Sequence, residues 1–255
     1  MKKLLLMDYR HTADSSDMWR TAIRRGWETR RTNMYQVQEH CKGYDLVRYY
    51  GNTLHAEQIK NGVPFKFDVI PAFLDLPSLL PYTKRKIRGM CYALLKQPIE
   101  EDCFIKPVWH KWFESRVYKK GETIIDDACH ASDNIYVSEI VKCVDEVRCF
   151  CLNGEILTSS YYRLNSVVWD QTNESPELLN FDDKLKDTPL TEYVKGIYKN
   201  YHYLPRGVVL DFALTDKNEW IFVEPNEAYA SGLYYCNYDK CFDVIIESVT
   251  DKAKI

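Results

Sequence analysis

The sequence has little of what marks several common protein classes. It has no excess of basic residues, because its formal net charge is −3 and its pI is about 6.1. That charge argues against a general nucleic-acid binder, although it leaves a local basic patch open. No apolar stretch approaches the length of a membrane span, and the opening run MKKLLLMDYR reaches Asp8 too soon for a signal peptide. We therefore expect no membrane partner, and we interpret the opening run as a buried strand.

Paired cysteines are missing as well. The nine cysteines include no CxxC motif, and the spacing of Cys149 and Cys151 is that of alternate strand positions rather than of a zinc site. A reduced, cytoplasmic protein without structural zinc or disulfides is expected. The chain does have 255 residues and 45% hydrophobic content, which is enough for a full core in one domain or in several smaller ones.

Strands and helices alternate in the first part of the chain. The residue pattern predicts strands at 2–8, 27–32 and 44–50, and helices at 15–25 and 54–60. This alternation is typical of a small α/β unit with a parallel sheet. Pro71, Pro77 and Pro81 then mark a domain junction. We therefore predict an N-terminal α/β domain over residues 1–80.

Residues 81–255 predict an α+β arrangement in which hairpins dominate. A basic helix over 83–95 is followed by strands at 103–107, 116–119 and 135–140. The dipeptide Asn153-Gly154 is a strong two-residue turn signal and predicts a hairpin over 144–163. A helix at 188–201, a second hairpin with strands at 208–214 and 220–224, and a last helix at 241–252 complete the prediction.

Three oxygen-bearing side chains belong to the second predicted hairpin. Asp211 stands alone in an apolar strand, and Glu224 and Asn226 can project to one face of the neighbouring strand. An acid in such a strand is costly to bury unless it is paired or bound to a cation. The three donors suit Mg²⁺, which prefers oxygen ligands. The alternative is a solvated hairpin whose acids contact a nearby lysine.

The first hairpin carries two arginines on the face that the Asn-Gly turn predicts. If Leu152 lies opposite Glu155, side-chain alternation places five polar residues together: Glu146, Arg148, Ser159, Tyr161 and Arg163. Guanidinium groups bind phosphate or carboxylate through paired hydrogen bonds, so this face predicts an anion site. A solvent-facing cross-strand salt bridge explains the pattern equally well.

Lys106 is unusual because it stands inside an apolar strand, directly before Pro107. A lysine in that setting either extends toward solvent or holds an anion. His110 and Lys111 follow in a loop that lacks the glycines with which a backbone usually surrounds phosphates. Any phosphate at this loop would have to be held by side chains as well.

The order of these motifs resembles the ATP-grasp superfamily, and specifically its branch of carboxylate–amine ligases. Lys-Pro after a strand is followed by YVSEIV, by Glu-x-Arg at the start of a hairpin, by an Arg at its far end, and by Asp…Glu-x-Asn. The order is more specific than any single motif. The resemblance covers residues 81–250 and implies an ATP-grasp fold of two lobes, one over about 81–139 and one over about 140–255, with a nucleotide cleft between them.

The resemblance also implies a role for each residue of the pattern. Lysines would contact the ATP phosphates, the hinge segment 138–141 would bind adenine, and an acid would lie near the ribose. The residues that would bind ATP in this way are Lys106, Lys111, Ser138, Glu139, Val141 and Glu146. The residues that would act in catalysis are Lys106, Arg148 and Arg163. The Mg²⁺ ligands would be Asp211, Glu224 and Asn226.

The activity that the resemblance implies is ATP-dependent ligation. A carboxylate would be activated as an acyl phosphate and then attacked by an amine or another nucleophile, with a small molecule or a peptide that has a carboxylate as the acceptor. Two alternatives remain from the residues alone. One is an ATP-dependent enzyme of the same fold that acts on a nucleic acid or a phosphate ester, with the basic segment TKRKIR in a strand-binding groove. The other is a nucleotide-binding module without catalysis.

Overall fold

The structure is a computed structural model that describes residues 1–71, 73–93, 97–108, 113–124, 133–168 and 175–252. The α-helices of this part are α1 Ala13–Arg24, α2 Val37–Cys41, α3 Thr53–Ile59, α4 Leu80–Thr83, α5 Pro176–Leu179, α6 Leu190–Asn200 and α7 Tyr238–Ile246. The first eight strands are β1 Lys3–Met7, β2 Glu28–Arg31, β3 Leu46–Tyr50, β4 Phe65–Phe67, β5 Ile87–Cys91, β6 Cys103–Pro107, β7 Arg116–Tyr118 and β8 Asn134–Ser138. The remaining strands are β9 Cys143–Leu152, β10 Glu155–Leu164, β11 Val167–Val168, β12 Gly207–Thr215, β13 Trp220–Glu227 and β14 Val249–Asp251. Among these helices, none has the length and apolar character that crossing a membrane requires.

The N-terminal sheet is parallel, as the alternating pattern predicts. Its strand order is β2-β1-β3, so β1 lies in the middle and the chain crosses from one of its sides to the other between β2 and β3. The last four residues of β1, Leu4 to Met7, are fully buried because both faces of the sheet are covered. The carboxyl ends of β1 and β3 therefore lie side by side, at the place where α/β sheets commonly bind ligands.

The next sheet is antiparallel, with the order β5-β8-β6-β7. It contradicts the predicted basic helix over 83–95, because helix α4 ends at Thr83 and β5 follows at Ile87. Lys84 has a left-handed backbone with a φ of 48°, which ends the helix and redirects the chain. β5 then pairs with β8 along its whole length. Long-range strand pairing thus overrides the local helix preference of this basic segment.

The largest sheet has five antiparallel strands in the order β11-β10-β9-β12-β13. It contains both predicted hairpins, and the Asn-Gly turn is confirmed: Asn153 and Gly154 have φ values of 52° and 85°, and Leu152 pairs with Glu155. Positive φ at both central positions is what a type I′ turn requires. The first hairpin therefore starts in the predicted register.

Two irregularities in β10 then shift the register away from the prediction. They fall between Ile156 and Thr158 and between Tyr161 and Arg163. Each inserts one extra residue, and an extra residue moves the following side chains to the opposite face. As a result Arg148 lies opposite Ser160 instead of Ser159.

The predicted polar face of this hairpin is therefore partly wrong. Tyr161 packs into the core with Val147, whereas Tyr162 takes the place predicted for it beside Arg148. Glu146 lies opposite Arg163 instead of Tyr161.

The end of the chain returns to the N-terminal sheet. The predicted last helix, 241–252, is wrong in its bounds, because Asn237 caps α7 at its start and the helix ends at Ile246. β14 follows and pairs antiparallel with β4. One apolar core also joins the two regions, since Met7 and Trp27 share it with Val209 and Phe242. The N-terminal sheet and the five-stranded sheet are thus packed together.

Candidate active site

The four-stranded and five-stranded sheets enclose a cavity of about 760 Å³. Eight of the residues predicted for the site line it: Lys106, Ser138, Glu139, Val141, Glu146, Arg163, Glu224 and Asn226. Arg148 and Asp211 do not line the cavity but contact each other directly behind Asn226. Lys111 lies outside the residues that the structure describes. The cavity therefore gathers most of the predicted residues, which come from both sheets.

An ion pair between the two sheets crosses this cavity. Lys106 Nζ, on β6, donates a hydrogen bond to Glu224 Oε2, on β13. Their side chains are 16% and 36% exposed, so the pair is only partly withdrawn from water. Burial alone would raise the pKa of Glu224, but the charge and the hydrogen bond of Lys106 lower it below its usual value. Glu224 is therefore a carboxylate, and Lys106 supplies a cation in the cavity wall.

A second, more deeply buried ion pair lies behind the cavity wall. Arg148 on β9 and Asp211 on β12 are directly paired across the sheet, and only 9% and 1% of their surfaces are exposed. Nε and Nη2 of the arginine donate to Oδ1 and Oδ2 of the aspartate at 2.9 Å and 2.7 Å. Burial alone would lower the pKa of Arg148, but Asp211 raises it above its usual value. Burial also raises the pKa of Asp211 above its usual value, although the charge and the hydrogen bonds of Arg148 oppose this. The two directed hydrogen bonds between the side chains hold the guanidinium and the carboxyl group against each other.

Two tyrosines cover the Arg148 guanidinium. Its central carbon lies 5.5 Å from the ring centre of Tyr162 and 5.0 Å from that of Tyr234, and the two rings stack on each other. Cation–π contacts of this kind hold an arginine in one orientation. The sequence pattern missed both tyrosines, because Tyr162 reaches this face only through the irregularity in β10 and Tyr234 lies beyond the last motif.

Glu146 connects the cavity to the same tyrosine. Its Oε2 accepts a hydrogen bond from the hydroxyl of Tyr162, and its Oε1 lies 3.0 Å from Nε of Arg163. That Nε is buried and makes no properly directed hydrogen bond to any described residue. Arg163 is thus held in the cavity wall by its ion pair with Glu146, and a bound anion would supply the well-directed acceptor that its Nε lacks.

Arg85 is a cavity residue that the sequence analysis missed. Its Nη1 and Nη2 donate to the backbone carbonyls of Phe222 and Val223 at 2.8 Å and 3.2 Å. Burial lowers its pKa, and among the described residues no carboxylate lies within ion-pair distance of it. It is therefore a cation in the cavity wall that has no direct ion-pair partner among the described residues, although the charge of Glu224 acts on it. The sequence pattern did not distinguish Arg85 from the other three basic residues of TKRKIR, because all four were predicted to lie on one helix.

The end of the cavity near β8 has a different character. Glu139 follows β8, donates its backbone N–H to the carbonyl of Lys86 at 3.1 Å, and accepts the N–H of that residue on its carboxylate at 2.9 Å. Apolar side chains line the space beside it: Phe104, Ile140, Val141, Ile221 and Val223. An apolar slot with backbone and carboxylate groups at its edge suits a heterocyclic base.

Asp211, Glu224 and Asn226 carry the oxygen atoms that were predicted to bind a divalent cation. Asn226 Nδ2 donates to Asp211 Oδ2 at 2.9 Å, which leaves the carbonyl oxygen of the amide as a donor to a metal. Asp211 accepts three hydrogen bonds in all, so about one of its four lone pairs remains. Within the described residues no group of three His, Cys, Asp or Glu side chains is placed for a metal. Glu224 and Asn226 line the cavity and carry oxygen atoms of the kind that Mg²⁺ prefers, whereas the Asp211 carboxylate is largely occupied by Arg148 and Asn226.

Comparison with known proteins identifies the family to which this architecture belongs. The family model described as "ATP-grasp domain, R2K clade family 2" matches residues 82–244. A search of curated protein sequences finds no match. An N5-carboxyaminoimidazole synthetase from Staphylococcus aureus, solved as a complex with ADP, is 9% identical with a TM-score of 0.58. The alignment covers 96% of this chain and 77% of that one.

Two further solved structures are similar over nearly their whole length. A D-cycloserine synthetase is 9% identical with a TM-score of 0.57, over 96% of this chain and 99% of that one. A macrocyclase from Microcystis aeruginosa MRC, bound with a precursor peptide, is 12% identical with a TM-score of 0.53, over 97% and 100%. At such identities the structures show the fold alone. The family match and the shared fold together show that the chain belongs to the ATP-grasp family, within the R2K clade.

Proposed function

We propose that this protein is an ATP- and Mg²⁺-dependent ligase that activates a carboxylate as an acyl phosphate and joins it to an amine or another nucleophile. The observation that carries the proposal is the contact of Lys106 with Glu224 across the cavity. It brings the predicted phosphate-binding cation and a predicted metal ligand to one place, between two sheets of an ATP-grasp fold.

The cavity supports one orientation of the nucleotide. The apolar slot beside Glu139 and Val141 would take the adenine, and Glu146 would face the ribose. The phosphates would then extend toward three cationic side chains, Arg85, Lys106 and Arg163. A base at the apolar end and anions at the cationic end match the chemistry of the two ends of the cavity.

Mg²⁺ would be held by Glu224 and Asn226, with Asp211 supplying its remaining lone pair. A bound divalent cation would neutralise charge on the phosphate oxygens and so favour attack of a nucleophile on the phosphorus. The chain's own contribution is orientation: Arg148 fixes the Asp211 carboxylate, and Asp211 fixes the amide of Asn226. Hydrogen bonds to a metal-binding side chain set the direction of the atom that it presents to the metal.

Two chemical steps follow from the proposal. An oxygen of the substrate carboxylate attacks the γ-phosphorus of ATP, the bond to the bridging oxygen breaks, and ADP is released. The nucleophile then attacks the carbonyl carbon of the acyl phosphate and displaces inorganic phosphate. Lys106 and Arg163 would stabilise the charge that develops on the phosphoryl oxygens, which is the largest contribution of such sites to the rate.

The acceptor is proposed to be a small molecule or a peptide, as with the structurally similar proteins named above. An activity on nucleic acid finds less support, because exposed cations of the segment TKRKIR are paired with acids. Lys84 lies 3.7 Å from Glu219, and Lys86 lies 4.0 Å from Glu139. Such pairs reduce the positive field that phosphate backbones require.

The proposal is tested by nucleotide binding and by turnover. ATP with Mg²⁺ should stabilise the folded protein, by about 2.7 kcal/mol at 100 times the dissociation constant. Lys106→Gln should weaken ATP binding about tenfold or more, because it removes a charged phosphate contact. Lys195→Gln, on the exposed face of α6, is the control and should bind ATP as wild type does. Calorimetry measures the affinity, and ADP release against pools of amino acids and peptides measures turnover. A folded protein that shows no ATP binding would contradict the proposal.

A further inference from the structure

Tyr162 lines the candidate active site without a role in the function proposed above. Its ring contacts the Arg148 guanidinium on β9 and stacks on the ring of Tyr234. The hydroxyl at the other end of this ring donates a hydrogen bond to Oε2 of Glu146. A side chain that is held by its ring thus directs one donor at a carboxylate of the cavity wall.

The surroundings of Tyr162 keep its hydroxyl protonated. Burial raises the pKa of Tyr162 well above its usual value, and the negative charges of Asp211 and Glu146 raise it further. A phenol that does not ionise retains the proton that it donates. The hydrogen bond to Glu146 is therefore available at any pH at which the protein is folded.

Glu146 also lies beside a cation. Its Oε1 is 3.0 Å from Nε of Arg163, but this contact is not a properly directed hydrogen bond. A guanidinium and a carboxylate that are free to turn form a planar pair with two parallel hydrogen bonds. The Arg163 side chain is 38% exposed, so packing does not prevent such a pair. The contact that restrains the carboxylate is the hydrogen bond from Tyr162 to its other oxygen.

This restraint leaves donors of Arg163 to a ligand. Arg163 lines the cavity, and its Nε has no well-directed acceptor among the described residues. A planar pair with Glu146 would occupy donors of the guanidinium and offset its charge. A bound phosphate would then compete with the carboxylate for the same N–H groups.

We propose that Tyr162 is a positioning residue that holds Glu146 off Arg163 and so keeps the guanidinium available to phosphate. The proposal rests on the nucleotide-dependent function proposed above, because it requires a phosphate group at Arg163. Tyr162 does not touch that group and acts through the carboxylate of Glu146. Without the hydroxyl, the carboxylate would turn onto the guanidinium, and the phosphates would lose one of the cations proposed to hold them.

Inorganic tripolyphosphate tests this role apart from the base and the ribose. It carries the charges of the ATP phosphates but has neither adenine nor sugar. Calorimetry without Mg²⁺ measures the Kd of tripolyphosphate, ATP and adenosine for wild type and for Tyr162→Phe, which keeps the ring and removes the hydroxyl. Tyr161→Phe is the matched control, because it removes a hydroxyl from the preceding residue, whose ring packs into the core against Phe181. Circular dichroism checks the fold of each variant.

We expect Tyr162→Phe to weaken the binding of tripolyphosphate and of ATP about fivefold or more, because hydrogen bonds from a charged group to phosphate are lost. The binding of adenosine should change less than that of tripolyphosphate, since adenosine carries no phosphate. Tyr161→Phe should bind all three molecules as wild type does.

The effect should also depend on Glu146. Glu146→Gln should leave the tripolyphosphate affinity within about threefold of wild type, because the carboxylate that it removes is already held off the guanidinium. In the Glu146→Gln background, Tyr162→Phe should have no further effect, since no carboxylate is left to turn onto Arg163. A tyrosine that acts by packing alone would give the same loss in both backgrounds.

Unchanged tripolyphosphate binding in a folded Tyr162→Phe would overturn the assignment, and so would an equal loss in the Glu146→Gln background. A loss for adenosine as large as that for tripolyphosphate would overturn it too, because the role of Tyr162 would then lie at the base or the sugar. If Tyr162→Phe does not fold, Glu146→Gln provides the test. A gain in tripolyphosphate affinity of about tenfold or more would show that Glu146 neutralises Arg163 in wild type and would overturn the assignment, whereas an affinity near wild type supports it. Wild type that binds neither ATP nor tripolyphosphate would overturn the proposed function together with the assignment.

Discussion

Replacing Arg148 by methionine should destabilise the protein strongly. The methionine keeps an unbranched apolar stem between Tyr162 and Tyr234 but removes both hydrogen bonds to Asp211. The aspartate, which is 1% exposed, is then left as an unpaired buried carboxylate with Asn226 as its remaining side-chain donor. The change therefore exposes the full cost of burying that charge.

The size of the effect follows from the burial of both partners. Removing one member of a buried ion pair typically costs about 3–5 kcal/mol. In a chain of this length each kcal/mol lowers the melting temperature by about 2–4 °C, so we expect a decrease of about 6–20 °C. The double variant Arg148→Met with Asp211→Asn should be more stable than Arg148→Met alone, because the unpaired charge is removed. Contacting residues couple by about 0.5–3 kcal/mol in such cycles.

Thermal and urea unfolding of wild type, both single variants and the double variant provide the measurement. Circular dichroism reports the fold, and the midpoints give the coupling free energy. A decrease of less than about 2 °C in Arg148→Met, or a coupling near zero, would show that the pair is solvated, since exposed pairs contribute about 1 kcal/mol or less. Such a result would refute the argument that burial of the Arg148–Asp211 pair makes its loss costly. Arg148 would then act only as a charged group and not as a stabilising partner of Asp211.

Two further predictions concern stability outside the cavity. Asp8 is 3% exposed; burial alone would raise its pKa, but four hydrogen bonds to its carboxylate lower it. Because the pKa of Asp8 is lower in the folded protein than in the unfolded chain, ionised Asp8 stabilises the folded protein at pH values above the unfolded pKa of about 3.9. This stabilisation is lost as the pH falls through the pKa of the folded protein. We therefore expect the urea midpoint of Asp8→Asn to be well below that of wild type at about pH 7, and the difference to become smaller by about pH 3. A difference that does not change with pH would contradict this prediction. Gly207→Ala should lower the free energy of unfolding by about 1–3 kcal/mol or more, and with it the urea midpoint, because its Cβ would lie 2.0 Å from the carbonyl oxygen of Val244. Gly232→Ala, with nothing nearer than 3.3 Å, is the control, and equal midpoints for the two alanine variants would count against the steric argument.

The sequence predicted those parts of the fold that local chemistry determines. Asn153 and Gly154 specify their turn because few other residues adopt positive φ in succession. The parallel N-terminal sheet was predictable because apolar strands alternate with capped helices. The order of the motifs predicted the ATP-grasp fold, since β6, β8, β9, β10 and β13, which carry most of these residues, all border the same cavity.

The parts that the sequence did not predict depend on distant partners. The strand at residues 87–91 exists because β8, more than forty residues later, supplies its hydrogen bonds. The local sequence does not indicate the irregularity in β10 that turns Tyr162 toward Arg148. This irregularity moves the side chains that follow it to the other face of the sheet. Arg85 acquires its place only from carbonyls of β13, more than a hundred residues away. A local pattern contains none of this information.

The pairing of β14 with β4 also sets an order for the folding of a newly made chain. The N-terminal sheet is synthesised first, yet Leu4 and Leu6 on one of its faces are covered by Tyr229 and Val249. Until those residues leave the ribosome, apolar surface on the first sheet stays exposed, and at about 5–20 residues per second this interval lasts about ten seconds or more. Closure over so long a loop also makes folding slow. Early translation intermediates are thus the state in which this protein would need a chaperone.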